Sequence, residues 1–532
     1  MLRREFKGYN GARLLKDLLA GLTVAAVALP LALAFGQASV GPEHTAVGIA
    51  AGLITAIVAG IVTGALGGGS FQISGPTGAM TVILGGIVSG AYGLTGMFVA
   101  SLLAGVILLL AGVLHVGRLI RFIPRPVVVG FTSGIALVIA LGQLGNFFGV
   151  SLSGESTLGK VIFFFKETLP DIHLPTLLCS LSVVLIMLVY PKRFAKYVPG
   201  SLVSIILITA VVALFQIDVG TIGEISRSLV NSERLQLSAL SFDMILDLLS
   251  PALTIAALGM VESLLCGTCA ANMKNEPFDS DIELVAQGVG NIVIPFFGGV
   301  PSTAAIARTS VAIKSGGQTR LTGIFQSLFL ILCMFLLPSV IGMVPYAALA
   351  GVLMVTAVRM NEWHAIRRYF KGKLWDAILM FSVTMIATVL LDLTYAILIG
   401  ILLALILMLV RLARARFARA EDPAPDTALV KCDTAAFFAN QEGVAALLEA
   451  CVTNDATRVI LSLEGVRYVD ASFAIRLLEL HEEIAPRGRH LLIYGADEDA
   501  LAIFKKAGLF DALGEDAFLT ELTVPTEAPV CV

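Results

Sequence analysis

Two ionisable residues stand inside runs of sequence that are otherwise apolar. Glu262 lies in Ala-Leu-Gly-Met-Val-Glu-Ser-Leu-Leu and Arg308 in Ala-Ala-Ile-Ala-Arg-Thr-Ser. A charge at membrane depth is costly and marks function by default. A carboxyl group there can carry a coupling proton or hold Na⁺. A guanidinium can attract a bound anion or brace the carboxylate, so a purely structural Glu262–Arg308 pair is the competing reading. Two strings of small residues accompany them, Pro76-Thr77-Gly78-Ala79 and Pro301-Ser302-Thr303-Ala304. Each opens a segment, 75–90 and 302–314, too short to cross a bilayer alone, and each reads as a half-helix entered from extended chain. A helix N-terminus presents unpaired N–H groups and about half a positive charge. Two of them facing each other near the midplane would seat an anion. Pro suits the start of such a helix. Gly78, Ala79, Ala304 and Ala305 keep the backbone approachable, and Thr77, Ser302 and Thr303 add hydroxyl donors. Arg308 is placed about two turns into the second half-helix. Tight helix packing is the other use of such small residues. Phe35, just over one turn beyond Pro30, either lines this site or faces lipid.

The remaining chemical signals are weaker. Cys266-Gly-Thr-Cys269 has redox spacing, but no strand precedes it, so the two residues read as small packing residues. The seven cysteines do not suggest a secreted disulfide framework. No nucleophile–base pair, metal cluster or Gly-rich phosphate loop is apparent, so neither an enzyme nor a bound cofactor is expected.

The elements that must position these groups follow from hydropathy. The chain is 57% hydrophobic and 14% charged, against about 25% charged in soluble domains. Charge thickens only after Arg411. About 20 apolar residues cross a bilayer. Candidate spans are 14–36, 44–66, 94–116, 126–148, 173–191, 200–216, 246–270, 281–298, 320–340, 345–358, 374–391 and 393–411, which with the two half-helices makes fourteen elements. Asp392, near a boundary, is the only other charge read as lying deep in a span. The first run is long enough to span rather than be cleaved as a signal. Arg3, Arg4, Lys7, Arg13 and Lys16 precede it, and Arg411, Arg414, Arg416 and Arg419 follow the last. Basic loops carrying Arg118, Arg121 and Arg125, or Lys192, Arg193 and Lys196, or Arg359, Arg367, Arg368, Lys371 and Lys373 follow even-numbered elements. The positive-inside rule then sets both termini in the cytoplasm of a bacterial inner membrane. The net charge of −3 implies no nucleic-acid partner.

Internal symmetry supports the count. Leu-Thr-Val-Ala-Ala at 22–26 returns as Leu-Thr-Ile-Ala-Ala at 253–257, and Pro76 returns as Pro301. Elements 1–7 and 8–14 (about 14–216 and 246–411) are read as copies. Seven is odd, so the repeat is inverted. Residues 1–415 form the transmembrane domain, 416–426 a linker, 427–525 a soluble domain and 526–532 a tail. In the soluble part, Val459–Leu463 and His490–Tyr494 read as strands and Ala474–His481 as a helix, a small α/β arrangement.

Phe71-Gln-Ile-Ser-Gly-Pro-Thr-Gly-Ala-Met80, Glu262-Ser-Leu-Leu265 and Phe296-Phe-Gly-Gly-Val-Pro-Ser-Thr-Ala-Ala-Ile-Ala-Arg-Thr-Ser310 together resemble the sulfate permease (SulP) family, and most of all its bacterial dicarboxylate-transporter branch. The tail resembles a STAS domain, with Asp470-Ala-Ser472 matching its phospho-acceptor turn; Ser472 is the matching hydroxyl, or a plain helix cap. The resemblance implies a core of elements 1–4 and 8–11 moving against a gate of 5–7 and 12–14, elevator fashion, in a homodimer. It maps the anion site onto Phe35, Thr77–Ala79, Ser302–Ala304 and Arg308, and cation coupling onto Glu262. Sodium-coupled bicarbonate relatives carry Asp there and lack the Arg, so H⁺ coupling is favoured over Na⁺. The expected function is secondary active transport of a small anion: C4-dicarboxylate, sulfate or bicarbonate. An uncoupled anion channel or an exchanger on the same scaffold is the alternative. A nucleobase permease is disfavoured by Arg308 and the tail, which is expected to be regulatory or structural and to meet a cytoplasmic regulator.

Overall fold

The computed structural model describes residues 5–118, 124–152, 157–168, 171–191, 194, 198–223, 227–391, 393–413, 417–419, 426–432, 436–437, 456–466 and 468–521. Arg121, Lys192, Arg193, Lys196, Asp392, Arg414, Arg416 and the tail 526–532 lie outside them. The chain divides into two compact units, Met1–Ile401 and Leu402–Val532.

Fourteen helices account for the membrane elements. They are α1 Gly11–Val40, α2 Thr45–Leu66, α3 Gly78–Val88, α4 Gly93–Val113, α5 Arg125–Gly142, α6 Leu174–Val189, α7 Gly200–Phe215, α8 Phe242–Lys274, α9 Ser280–Val293, α10 Ile306–Lys314, α11 Leu321–Leu336, α12 Tyr346–Met360, α13 Trp375–Leu390 and α14 Leu393–Ala413. Of these, α1, α2, α4, α5 and α8 are long and apolar enough to span on length and composition alone. Side chains capping N–H groups define several starts. Asn10 accepts from Arg13 N ahead of α1, Ser241 from Met244 N ahead of α8, and Asp279 from Ile282 N ahead of α9. The 281–298 span breaks early: α9 ends at Val293 and a tighter 3₁₀ turn, Ile294–Phe297, carries the chain on toward Thr303–Ala304.

Packing obeys the repeat. The contacting pairs α4–α9, α5–α13 and α4–α8 become α11–α2, α12–α6 and α11–α1 when each element is exchanged for the one seven places along, and all six pairs pack. Lipid tails supply no hydrophobic drive for helix association, so close approach must come from small residues. In α1–α2, a methyl group on Gly36 would lie 2.7 Å from Gly52 Cα. In α4–α9, one on Gly105 would lie 2.7 Å from Ile292 N, and one on Gly288 would meet Leu109 N at 2.5 Å.

The second unit holds a five-stranded sheet, β3 Phe417–Arg419, β4 Thr427–Cys432, β5 Arg458–Ser462, β6 His490–Tyr494 and β7 Phe518–Leu519, in that spatial order. Only β3–β4 is antiparallel. Helices α15 Ala471–Ile484 and α16 Glu498–Lys506 join the parallel strands and bury Phe473, Leu477 and Phe504 against Val459 and Leu461. The linker reading of 416–426 therefore gives way at 417–419. Phe417 pairs with Cys432 and Arg419 with Val430, because an unpaired sheet edge gains hydrogen bonds from the incoming chain. Residues 420–425 lie outside the described residues.

Candidate functional site

The two short helices begin on either side of a backbone crossing. Strand β1, Ser74–Gly75, pairs antiparallel with β2, Thr303–Ala304, in the register Ser74↔Ala304 and Gly75↔Thr303. Ala305 N extends the pairing to Ile73 O at 3.0 Å. Helix α3 leaves β1 after two residues and α10 leaves β2 after one, so antiparallel strands send the two helices off in opposite directions from one point.

This corrects the role expected of the prolines. Pro76 precedes Gly78 by two residues and Pro301 precedes Ile306 by five, so neither occupies a first helical position. Their effect falls on the residue before, which proline holds out of the helical region. Both segments thus enter extended and can pair with each other. The two prolines are also not repeat mates in space, since the helix starts at 78 and 306 set a different offset from 76 and 301.

The donors are redistributed in the same way. Ser302 N gives its hydrogen bond to Asn291 Oδ1 at 2.7 Å, and Ser302 O accepts from Asn291 Nδ2 at 2.9 Å. Thr303 Oγ1 lies 2.8 Å from Ser263 Oγ and 3.3 Å from Gly259 O. Ala304 N donates to Ser263 Oγ at 3.2 Å. All three residues are buried; α9 and α8 consume the amides of Ser302 and Ala304, Thr303 pairs with Gly75 in the strand, and the Ser302 hydroxyl has no partner among the described residues. The amides left without partners among the described residues are one step further on, at Ile306, Ala307 and Arg308, matched by Gly78, Ala79 and Met80 of α3. Neither helix has a side-chain cap. Both keep the orphan N–H groups of a helix start.

Arg308 is the third residue of α10 rather than two turns along it, and it is 1% exposed. Its Nη2 donates to Pro76 O at 2.9 Å, across the crossing, while Nη1 has no partner. A buried donor left unpaired costs about 1–3 kcal/mol, more when charged. The guanidinium occupies space that only glycine permits: Gly75 has φ +156°, and a Cβ there would collide with Nη1. Glu262, half-buried on α8, accepts from Thr77 Oγ1 at 3.0 Å. Among the described residues Glu262 and Arg308 form no ion pair, so Thr77 links Glu262 to the start of α3 and Arg308 reaches α3's approach strand. Phe35 is buried, with its ring edge over Gly78; a methyl on Gly78 would lie 2.9 Å from Cε1. Phe35 therefore faces the start of α3, not lipid. Six amides, Nη1 and two hydroxyl or carboxyl groups, walled by one aromatic ring, can hold a small oxyanion and exchange a proton beside it.

Several residues that build this arrangement escaped the sequence reading. Glu283, Gln287 and Asn291 form a polar stripe down α9, all at most 1% exposed. Glu283 accepts from Gly68 N at 2.9 Å and from Gln287 Nε2 at 2.8 Å, and Gln287 Nε2 also donates to Ser74 Oγ at 2.7 Å. Asp17, fully buried on α1, accepts from Thr319 N at 3.0 Å and from the hydroxyls of Thr319 and Thr322 at 2.7 and 3.0 Å. Asp17 and Glu283 are thus further buried charges in the membrane helices, near the starts of α1 and α9. The signal was available: polar residues four apart in an apolar run define one helix face. Cys266 is buried beside Thr309 and Cys269 is exposed, both as free thiols.

In the soluble unit, Asp470 caps α15 by accepting from Phe473 N at 2.8 Å. Ser472 sits exposed at the second helical position.

The membrane part of the chain is thus a fourteen-helix inverted repeat with an electropositive crossing between its two short helices, and a small α/β domain follows it in sequence. The chain belongs to the sulfate permease family, which residues 14–384 match, and residues 422–525 match the STAS domain. It is 34% identical over 531 residues to YvdB of Bacillus subtilis, which is provisionally described as a sulfate transporter; the match covers 97% of each chain. It is 31% identical over 420 residues to the bicarbonate transporter BicA of Picosynechococcus, covering 75% of this chain and 70% of that one. The murine anion transporter Slc26a9 superposes with a TM-score of 0.83 at 17% identity, over 94% of this chain and 89% of that one, and so shares the fold. The family's named activity is transport, not enzymatic turnover.

Proposed function

We propose that the protein is a secondary active transporter of a small oxyanion, coupled to protons and working by elevator-type movement of the core. The observation that carries this is the pair of uncapped helix starts joined by Arg308, whose free Nη1 lies beside the crossing. Sulfate, bicarbonate and C4-dicarboxylates all present carboxylate-like or tetrahedral oxygens that such donors recognise. The anion docks against the amides of Gly78–Met80 and Ile306–Arg308. Protonation of Glu262 removes a competing negative charge, and Thr77 reports that change to α3. We further propose a homodimer in a bacterial inner membrane with both termini cytoplasmic. The STAS domain meets a cytoplasmic regulator, with Ser472 as its phospho-acceptor. Asp470 already caps α15, which leaves Ser472 Oγ free for modification, and a phosphate there would sit favourably at a helix N-terminus.

Uptake of labelled sulfate, bicarbonate and succinate into proteoliposomes tests this, with an inward proton gradient, an inward Na⁺ gradient, or neither. Accumulation driven by the proton gradient, made pH-independent by Glu262→Gln with binding retained, is the expected result. Gradient-independent equilibration would instead indicate a channel, and accumulation only against a trapped counter-anion would indicate an exchanger.

A further inference from the structure

Between α12 and α13 runs a short helix, Trp363–Lys371, that the transport mechanism does not use. One face packs inward. Tyr369 is buried with Val129 of α5 and Phe381 of α13, and Ala365 and Ile366 pack against the same cluster. Glu362, just ahead of the helix, pairs with Arg125 at the start of α5 at 2.8 Å. At 100° per residue, the rest of the circumference sorts into two stripes. Trp363 and Phe370 lie together next to the packed face, 50% and 52% exposed. Arg367, Lys371, His364 and Arg368 lie beyond them, all exposed, and Lys373, Leu374 and Trp375 prolong the pattern toward α13. None of Arg367, Arg368, Lys371 and Lys373 forms an ion pair among the described residues.

We propose that this helix is a docking surface for anionic phospholipid headgroups, in the leaflet at which α12 ends and α13 begins. The argument is one of charge and place. Aromatic rings beside a cationic stripe, on a helix lying between two membrane helices, meet the acyl–headgroup boundary and the phosphates at once. Each Lys or Arg held near an anionic surface adds to the attraction, and four do so here against Asp376 and an already paired Glu362. A lipid bound there grips α5 and α13 through Tyr369 and the Arg125–Glu362 pair.

The chain supplies its own probe, because Trp363 and Trp375 are its only two tryptophans. Full-length protein is reconstituted in vesicles of phosphatidylcholine carrying a minor fraction of either phosphatidylglycerol or phosphatidylcholine brominated in the acyl chains near the headgroup. Quenching of tryptophan emission should be about twofold or more stronger with the brominated phosphatidylglycerol. The preference should fall as NaCl is raised, and should vanish in a variant with Arg367, Arg368, Lys371 and Lys373 all changed to Gln. Trp375→Phe should retain it through Trp363. The wild-type lipid comparison and salt titration stand even if the fourfold variant does not fold. Equal quenching by both brominated lipids, indifferent to salt, overturns the proposal. Protection of both indoles from either lipid also overturns it and assigns the face to a second copy of the chain.

Discussion

The two halves of the membrane unit share one packing plan but divide the chemistry unequally. Around β1 and α3, the sequence offers chiefly backbone: Gly78, Ala79 and Met80 leave amides bare, Gly75 and Pro76 keep the approach to them extended, and Thr77 lends one hydroxyl to Glu262. Around β2 and α10, the equivalent stretch is tied down by Asn291 and Ser263, and the site gains Arg308. An inverted repeat can therefore keep its helix pairing symmetric while one half becomes the anchor and the other the approachable surface. The charge resides in the anchored half, where a guanidinium can be held still. It acts on the bare half, where Gly75 makes room for it.

Breaking the anchor's charge should have the largest effect. Arg308→Ala removes both the Nη2 bond to Pro76 O and the free Nη1, so anion affinity should fall about tenfold to a hundredfold, the range expected for hydrogen bonds from a charged group. Equilibrium binding of labelled anion to the purified protein measures it, and unchanged affinity would reduce Arg308 to a brace. Loosening the anchor itself comes next. Asn291→Ala strips Ser302 of both backbone partners and leaves a buried N–H unsatisfied. About 2–3 kcal/mol of stability should be lost, seen as a lower unfolding midpoint in detergent, with weaker binding. A variant as stable as the parent would show that β2 is held some other way.

The bare half should tolerate more. Thr77→Val deletes one hydroxyl bond to Glu262, worth about 1 kcal/mol, and leaves the amides of α3 in place. Anion affinity should change by less than about fivefold, while the pH dependence of uptake shifts. A loss as large as that of Arg308→Ala would erase the distinction between the halves. The smallest effect lies in the soluble unit, as a control outside the comparison. His481 on α15 is held below the ordinary histidine value of 6.5, first by burial and then by nearby His490. A depressed folded value means that the stability supplied by neutral His481 is full above about pH 6.5 and lost as pH falls through the folded value. Amide exchange across Ala471–Ile484 should quicken modestly in that acid window and less so in His481→Gln. Exchange indifferent to pH in the parent would remove His481 from the account.

Much of this was legible in the chain. Apolar runs fixed the number of elements because a bilayer imposes one length on every crossing, and the motif around Leu22 and Leu253 showed the repeat. Glu262 and Arg308 stood out because charge is rare in such surroundings. Two of the five strands of the soluble unit, β5 and β6, were legible from their apolar runs, whereas the cap read at Ser472 belongs to Asp470. What sequence could not assign was who uses which donor. Ser302, Thr303 and Ala304 read as free hydroxyls and amides, but α8 brings Ser263 onto Thr303 and Ala304 from 40 and 41 residues away, and α9 brings Asn291 onto the backbone of Ser302 from 11. Pro301 read as a helix start, yet strand pairing with Ser74 and Gly75 holds the chain extended as far as Ala305. Local sequence dictates propensity and burial cost, and those set where helices cross the membrane. Which polar atoms remain unpaired is decided only when distant segments compete for them, and that competition took the amides of Ser302 and Ala304 while leaving the Ser302 hydroxyl, Arg308 Nη1 and the amides of Ile306–Arg308 open among the described residues.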